Sequence, residues 1–522
     1  MKKPNPAKDL YKQMRLLTCQ QLWEEEVPRF DRATPRERTD RVAVVRAVGV
    51  VFSENGTGEQ KANARGWLRG LLGDPCEKVR RYAMAAIPKL GAGPGEEAEL
   101  LGLLRAAERN REKKFLGRAL EKIAGEATLR EMEGGGFDLQ TRQKVQANVA
   151  RAHRPSVICM ERILSDCAGL RIHLRGRRGL EEIVREEVDQ SPAARGKFRV
   201  VEVRAGLVVI TPVAPFALAD IYALRCFGAA GFVLGHAPGG PDSIDAWAAL
   251  ITSPLSRKIF GTFTGGSIRY RLDFAGKGHQ RGAVRLVANR AYAACPDILN
   301  DARGAPWTVS IHPAGAGSFL ELSPRLNPDP RLHFRLRDVP AASHPPLAAC
   351  MARLAGKGID GIVWDPFCGS GLELIERALL GGARGIRGTD LSAEAVEIAR
   401  ENLAAAKLQG VEAEFACRDF RDYQRVPGLG PETVSLLITN PPMGRRVPIP
   451  DLRGLIQDLF AVAAIVLKPG GRLVFANPVR VAAPQPSLEL QSRREVDFGG
   501  FTCRLEVYLK RARHTGLRQT AG

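Results

Sequence analysis

Four short stretches in the last third of the chain carry the side chains best suited to chemistry, and each follows an apolar run. The first, Asp365-Pro366-Phe367-Cys368-Gly369-Ser370-Gly371, comes directly after Gly361-Ile362-Val363-Trp364. A glycine turn between a strand and a helix lets a ligand approach the backbone, and the helix N-terminus offers free N–H groups. Asp365, Phe367, Gly369 and Gly371 are therefore candidate contacts. The spacing is neither the GxGxxG of a dinucleotide site nor the GxxxxGK(S/T) of a phosphate loop. The next run ends in Gly388-Thr389-Asp390. A carboxylate at that strand tip can accept hydrogen bonds from both ribose hydroxyls. A third run ends at Cys417-Arg418-Asp419-Phe420. There Asp419 could accept an adenine amino group, with Phe420 beside the ring. Each acid alone reads as an ordinary helix cap. At three successive strand ends they describe a nucleoside site.

The fourth stretch is Thr439-Asn440-Pro441-Pro442-Met443-Gly444. Two prolines fix the backbone, and their missing N–H groups leave carbonyls as acceptors. The Asn440 side-chain oxygen and the Pro441 carbonyl could together hold an exocyclic amino group. Taken alone, the stretch is a rigid turn after a strand; the upstream stretches give it meaning. Arg445 and Arg446 follow at once and can contact the phosphates of a target. Cys368 is a small side chain in a glycine loop rather than a nucleophile.

From Gly361 onward, short apolar runs alternate with helices of 10–15 residues, which describes a parallel, doubly wound sheet. The two strand-like runs around Asp497-Phe498-Gly499-Gly500 close it with an antiparallel hairpin. Upstream the pattern is mixed. Arg171 to Gly176 alternates like a strand, Arg178 to Val188 is an amphipathic helix, and Phe198 to Pro212 reads as two strands joined at Ala205-Gly206. A helix over 244–255, a strand over 267–276, a helix around 283–294 and a strand at 307–313 follow. Residues 1–130 read as helical. Their clearest helix runs from Asp74, its cap, to Gly91, with a stripe of Val79, Ala83, Ala86, Ile87 and Leu90. Glu131 to Gln140, with three consecutive glycines, reads as a linker.

The chain has 522 residues, of which 44% are hydrophobic and 26% charged, so large cores are available and about three domains are expected. No apolar run approaches the ~20 residues of a membrane span. Ten cysteines without a CxxC pair give no support to a zinc site or a disulfide framework and fit a cytoplasmic protein; no metal is expected. The net charge of +20 divides as +7 over residues 1–150, +9 over 151–350 and +4 over 351–522. A basic excess outside the C-terminal third favours a polyanionic partner, nucleic acid being the commonest.

With these motifs in this order, the C-terminal third resembles the S-adenosylmethionine-dependent amino-methyltransferases. More narrowly it resembles the RNA guanine-N2 methyltransferases that carry a THUMP domain. Ser343 to Gly356 resembles that family's helix leading into the glycine loop. The resemblance implies that Asp365, Phe367, Gly369 and Gly371 hold the methionine part of S-adenosylmethionine and Asp390 its ribose. Asp419 and Phe420 would meet the adenine, and Asn440, Pro441, Pro442 and Met443 would present the target amine. Met443 stands where the family usually has an aromatic residue that stacks on a flipped base. Residues 175–188 resemble the start of the ferredoxin-like segment before THUMP. Residues 266–295 resemble a THUMP strand, loop and helix, with Lys277, His279, Arg281 and Arg285 as phosphate contacts. The N-terminal helices resemble HEAT repeats and offer a surface for a protein partner or RNA.

The expected architecture is a HEAT-like helical region (1–130), an α+β ferredoxin-like and THUMP-like region (155–335), and a Rossmann-like α/β methyltransferase domain (341–515). The expected reaction is methyl transfer to the N2 amine of guanosine in structured RNA, tRNA or rRNA. An N-P-P turn also serves DNA adenine or cytosine and protein glutamine amides. An assembly factor with little turnover is the alternative outside enzymes.

Overall fold

The computed structural model describes residues 6–512 except 92, 134–138, 241, 277–279, 341, 357–358 and 445–448. These residues pack into two compact units, each built from two separated pieces of chain: residues 1–158 with 236–320, and residues 159–235 with 321–522.

In the first unit the chain is helical from Pro6 to His153 among the described residues. Helix Val42–Asn55 buries residues on nearly every face, including Val44, Val48, Val51 and Phe52. Such an all-round apolar helix belongs in the middle of a bundle. It packs against helices Gly58–Gly70 and Glu77–Ala86, and the latter packs against Asn110–Ile123. Val79, Ala83, Ala86, Ile87 and Leu90 are buried together in this core. The start of that helix differs from the sequence expectation. Its N-cap is Cys76, because Asp74 is turned to other work: one oxygen accepts from the Cys76 N–H and the other pairs with Arg38, both at 2.8 Å. The expected linker is also shorter than its glycines suggested. Residues 131–133 end a helix and Leu139–His153 is another, so only 134–138, outside the described residues, remain of it.

The second piece of this unit carries helices Ser243–Ile251, Pro254–Phe263 and Arg281–Ala294. They accompany strand Ile268–Phe274, which has Ile298–Asn300 and Trp307–Ala314 as parallel neighbours. Arg281 and Arg285 are exposed on the first turns of their helix. Lys277 and His279 lie outside the described residues.

In the second unit, strand Ile172–Arg175 is flanked antiparallel by Leu207–Pro212 and Ala229–Ala237, and Phe198–Arg204 pairs with Leu207–Pro212. The remainder is a seven-stranded sheet: β1 (Gly361–Asp365), β2 (Ala383–Asp390), β3 (Glu412–Cys417), β4 (Val434–Thr439), β5 (Leu467–Asn477), β6 (Leu488–Asp497) and β7 (Thr502–Lys510). The spatial order is β3-β2-β1-β4-β5-β7-β6. The first five strands run parallel and β7 antiparallel. Four helices accompany it: α1 (Pro345–Leu354), α2 (Leu372–Leu379), α3 (Ala393–Ala406) and α4 (Leu452–Val466). The strand order reverses between β1 and β4, so a crevice opens at their carboxyl ends. The fold is thus a Rossmann-like, mostly parallel sheet closed by an antiparallel hairpin.

Ion pairs tie residues 159–235 to this sheet within the unit. Arg225 holds Glu376 of α2 through two bonds of 2.6 and 2.7 Å, and Glu187 accepts from Arg353 of α1 at 3.1 Å. Glu376 is 2% exposed. Burial pushes its carboxyl up and Arg225 opposes this. Replacing Arg225 with Met strands the carboxylate, which costs about 3–5 kcal/mol for pairs of this kind. Thermal denaturation should show a clearly lowered transition for Arg225→Met and substantial recovery in Arg225→Met/Glu376→Leu. A double variant no better than the single would remove this pair from the stability of the unit.

Candidate active site

Three loops at the carboxyl ends of β1, β2 and β4 converge on Asp365. Its side chain is 0% exposed. One oxygen accepts from the Phe367 N–H at 3.0 Å and from the Thr439 hydroxyl at 2.5 Å. The other is buried and has no partner among the described residues. Burial pushes the Asp365 carboxyl well above the usual range, and the nearby Glu373 and Asp390 carboxylates push the same way.

The glycine loop is held from both sides. Thr389 at the end of β2 accepts the Cys368 N–H through its carbonyl at 2.9 Å, and its hydroxyl donates to the Pro366 carbonyl at 3.2 Å. Asp390 accepts the Gly369 N–H at 3.0 Å and, through its other oxygen, the Ser392 N–H at 2.9 Å. Buried Asn402 of α3 donates to the Ser370 carbonyl at 3.0 Å. Gly371 has φ +79°, and a Cβ there would stand 3.2 Å from the Ala399 Cβ; a side chain would be strained in backbone and in space alike. Cys368 is 2% exposed, and burial pushes its thiol well up, the opposite of an activated nucleophile.

At the third strand end, both expected adenine contacts also have partners within the protein. Asp419 caps the turn Phe420–Arg425 by accepting the Arg421 N–H at 2.9 Å, and its carboxylate pairs with the Arg421 guanidinium at 2.8 Å. Phe420 is 2% exposed and packs into the core with Trp364 and Tyr423. Its ring lies 5.0 Å from that of Phe367, which is only partly buried. Phe367 therefore carries the accessible ring face and Phe420 backs it.

At the fourth strand end, Asn440 is partly buried. Its Nδ2 donates to the Ser343 hydroxyl at 2.8 Å, and its Oδ1 is buried without a partner among the described residues. Pro441 is buried, and Pro442 and Met443 are partly buried. Arg445 and Arg446 lie outside the described residues. Ser343 in turn donates to Glu373 in the first turn of α2. Glu373 is 4% exposed, and burial raises its carboxyl. Thr439, Asn402, Ser343 and Glu373 were not singled out by the sequence. The signal that was available for Glu373 is a helix, α2, with three charged residues (Glu373, Glu376 and Arg377) among its buried positions.

These details describe a crevice that places two unsatisfied buried acceptors, Asp365 Oδ2 and Asn440 Oδ1, on strands that are hydrogen-bonded neighbours. A buried acceptor without a partner is costly, so each is a place for a donor or a cation. Because the Asp365 pKa is raised in the fold, its cost to stability begins above the ordinary carboxylate pKa and grows as pH rises toward the raised one. The stability of Asp365→Asn relative to wild type should therefore improve as pH rises from 5 to 8. Melting curves of the ligand-free proteins check this, and a difference independent of pH would contradict the burial argument.

Residues 333–494 match the family model described as "RMKL-like, methyltransferase domain". The chain is similar to the tRNA (guanine(10)-N2)-dimethyltransferase of Methanothermobacter thermautotrophicus, with 33% identity over 182 residues, 33% of this chain and 51% of that protein. The enzyme of the same name from Methanocaldococcus jannaschii is 29% identical over 158 residues, 29% of this chain and 42% of that protein. A ribosomal protein L11 methyltransferase of Pseudomonas putida is 33% identical over 152 residues, 28% of this chain and 47% of that protein. The chain thus spans about half the length of the curated relatives it matches. Among solved structures, TrmN from Thermus thermophilus aligns with a TM-score of 0.51 at 23% identity, covering 65% of this chain and 99% of that one, a likeness of fold. Family match and sheet order agree over residues 333–494: this part of the chain matches the RMKL-like methyltransferase-domain model and has the strand order of a Rossmann-like sheet.

Proposed function

We propose that this protein transfers a methyl group from S-adenosylmethionine to the exocyclic N2 amine of guanosine in structured RNA, with tRNA the first choice. The observation that carries the reading is the buried, unpartnered Asn440 Oδ1 at the head of the Pro441-Pro442 turn. An amide oxygen there accepts a hydrogen from a planar amine and repels an acceptor. The guanine-N2 enzymes among the relatives support the choice of amine.

The residues fit the donor. S-adenosylmethionine carries an ammonium and a sulfonium, and the unpartnered Asp365 oxygen, among carboxylates that raise its pKa, favours a cation. Asp365 and the Phe367–Gly371 loop would hold the methionine part, Asp390 the ribose, and Asp419 with Phe367 the adenine edge and face. When bound, the donor supplies an electrophilic methyl on sulfur. The chain supplies orientation. Asn440 Oδ1 and the Pro441 carbonyl each accept one amine hydrogen and so turn the nitrogen lone pair toward the methyl. They stabilise the positive charge that grows on nitrogen, and neither needs to act as a strong base. Met443 packs on the base face through its sulfur where an aromatic ring would stack.

Protein methylation is the second reading, favoured by the similarity to the L11 methyltransferase. Incubation with labelled donor and either deproteinised RNA or ribosomal protein separates the two, and nucleoside mass spectrometry names the modified base. N2-methylguanosine in tRNA is the expected product; label in protein alone would overturn the first reading. Asn440→Ala should lower transfer by roughly 10²–10³-fold, the loss typical of one preorganised polar group, with donor affinity by calorimetry unchanged. Asp390→Ala should instead weaken donor binding.

Arg281 and Arg285 are proposed as phosphate contacts. In filter binding across a salt series, replacing both with Ala should flatten the log–log slope by up to about 0.7–0.9 per lost contact. An unchanged slope would place the RNA elsewhere, and the helical N-terminal region, with its +7 charge, is the competing surface.

A further inference from the structure

An asparagine presents an acceptor only if its amide is held one way round. Turned by 180° about its last bond, the same side chain would aim two N–H groups at the place where an amine must bring its own hydrogens. Nothing in residues 439–444 fixes that choice, since the bond that engages the amide comes from 97 positions earlier in the chain. It runs from Asn440 Nδ2 to the Ser343 hydroxyl, at 2.8 Å.

A hydroxyl can accept or donate, so Ser343 alone would tolerate either orientation. Glu373 in its carboxylate form, which the Ser343 bond favours, removes the ambiguity. It takes the Ser343 proton on Oε1, which leaves the Ser343 oxygen only lone pairs to offer to Asn440. The direction therefore propagates: carboxyl acceptor, hydroxyl proton, amide N–H, and a free Oδ1 at the far end. The burial of Glu373, at 4% exposed, keeps water from supplying a rival acceptor. The three residues stand on separate supports: the approach to α1, the first turn of α2 and the end of β4.

We propose that Ser343 and Glu373 are positioning residues that lock the Asn440 amide with its oxygen toward the target amine. The proposal rests on the amine-methylation reading for its purpose, but its geometry can be tested without any substrate. A purely structural alternative exists, in which the Ser343–Glu373 bond only ties the start of α1 to α2.

The test uses the full chain with Ser343→Ala, Ser343→Thr and Glu373→Met. In ligand-free protein labelled with ¹⁵N-asparagine, the Asn440 side-chain amide signal is identified by its loss in Asn440→Ala. It should shift or broaden in Ser343→Ala and Glu373→Met and keep its place in Ser343→Thr, which retains the hydroxyl. With RNA and donor, kcat should fall roughly 10²-fold in the first two variants, as for a misplaced reacting group. KM for RNA should stay near wild type, as should donor affinity in the Ser343 variants, and Ser343→Thr should recover most of the rate. An unmoved amide signal with unchanged kcat in Ser343→Ala would overturn the proposal. So would an equal loss in Ser343→Thr accompanied by a lowered melting temperature, which is the signature of the structural alternative. Failure of the wild-type protein to methylate any RNA would overturn the functional reading instead, while the amide signal still decides the positioning role.

Discussion

The crevice is organised around one carboxylate kept from water. Asp365 ends β1 at 0% exposure, and one of its oxygens joins the glycine loop at Phe367 to the end of β4 at Thr439. Taking that charge from water is unfavourable, and the nearby Glu373 and Asp390 make it more so. The surrounding structure compensates with rigidity. Thr389, Asp390 and Asn402 each fix a different part of the loop. A loop held at so many points cannot relax around the unsatisfied oxygen, so the penalty persists in the ligand-free protein. Stability withheld at a site in this way is commonly traded for binding.

The amine side of the crevice follows the same logic with neutral groups. Asn440 is the last link of a chain of donors and acceptors that begins at a buried glutamate on α2. Because α2 also opens the glycine loop, both halves of the crevice are registered to the same helix. A shift of α2 would disturb the Asn440 amide and the glycine loop together. Arg225, which grips Glu376 one turn further along α2, makes the segment 159–235 part of that registration.

Much of the sheet was legible from sequence because its information is local. Apolar runs with glycine or acid at their ends mark strand tips, and parallel strands need helices between them. The structure brings Asp365, Asp390 and Asn440 to the carboxyl ends of adjacent strands, and Asp419 follows the end of the neighbouring β3. What escaped depends on pairs far apart in the chain. Ser343 looked like part of a helix entry, and only the fold brings it to Asn440. Glu373 and Glu376 lie on a helix that drew no reading from local pattern, and both are buried. Phe420 was assigned to a ligand, but its neighbours Trp364 and Tyr423 claim it for the core. Asp74 had the residue type and place of a helix cap, and a distant arginine, Arg38, drew it away. Strands Ala229–Ala237 and Gly317–Pro324 went unmarked because glycine and alanine dilute their alternation.

The interleaving of the two units also bears on how the polypeptide emerges from the ribosome. Residues 159–235 follow the first piece of the other unit, 236–320 then return to that unit, and only afterwards does the rest of the second unit appear. Arg225 precedes Glu376 by 151 positions, and Glu187 precedes Arg353 by 166. At translation rates of 5–20 residues per second, the nascent segment waits roughly 8–30 s for its charged partners. During that interval the segment lacks α1 and α2, whose Arg353 and Glu376 its own charged groups pair with. In synthesis these buried ion pairs therefore close only once α1 and α2 have been made.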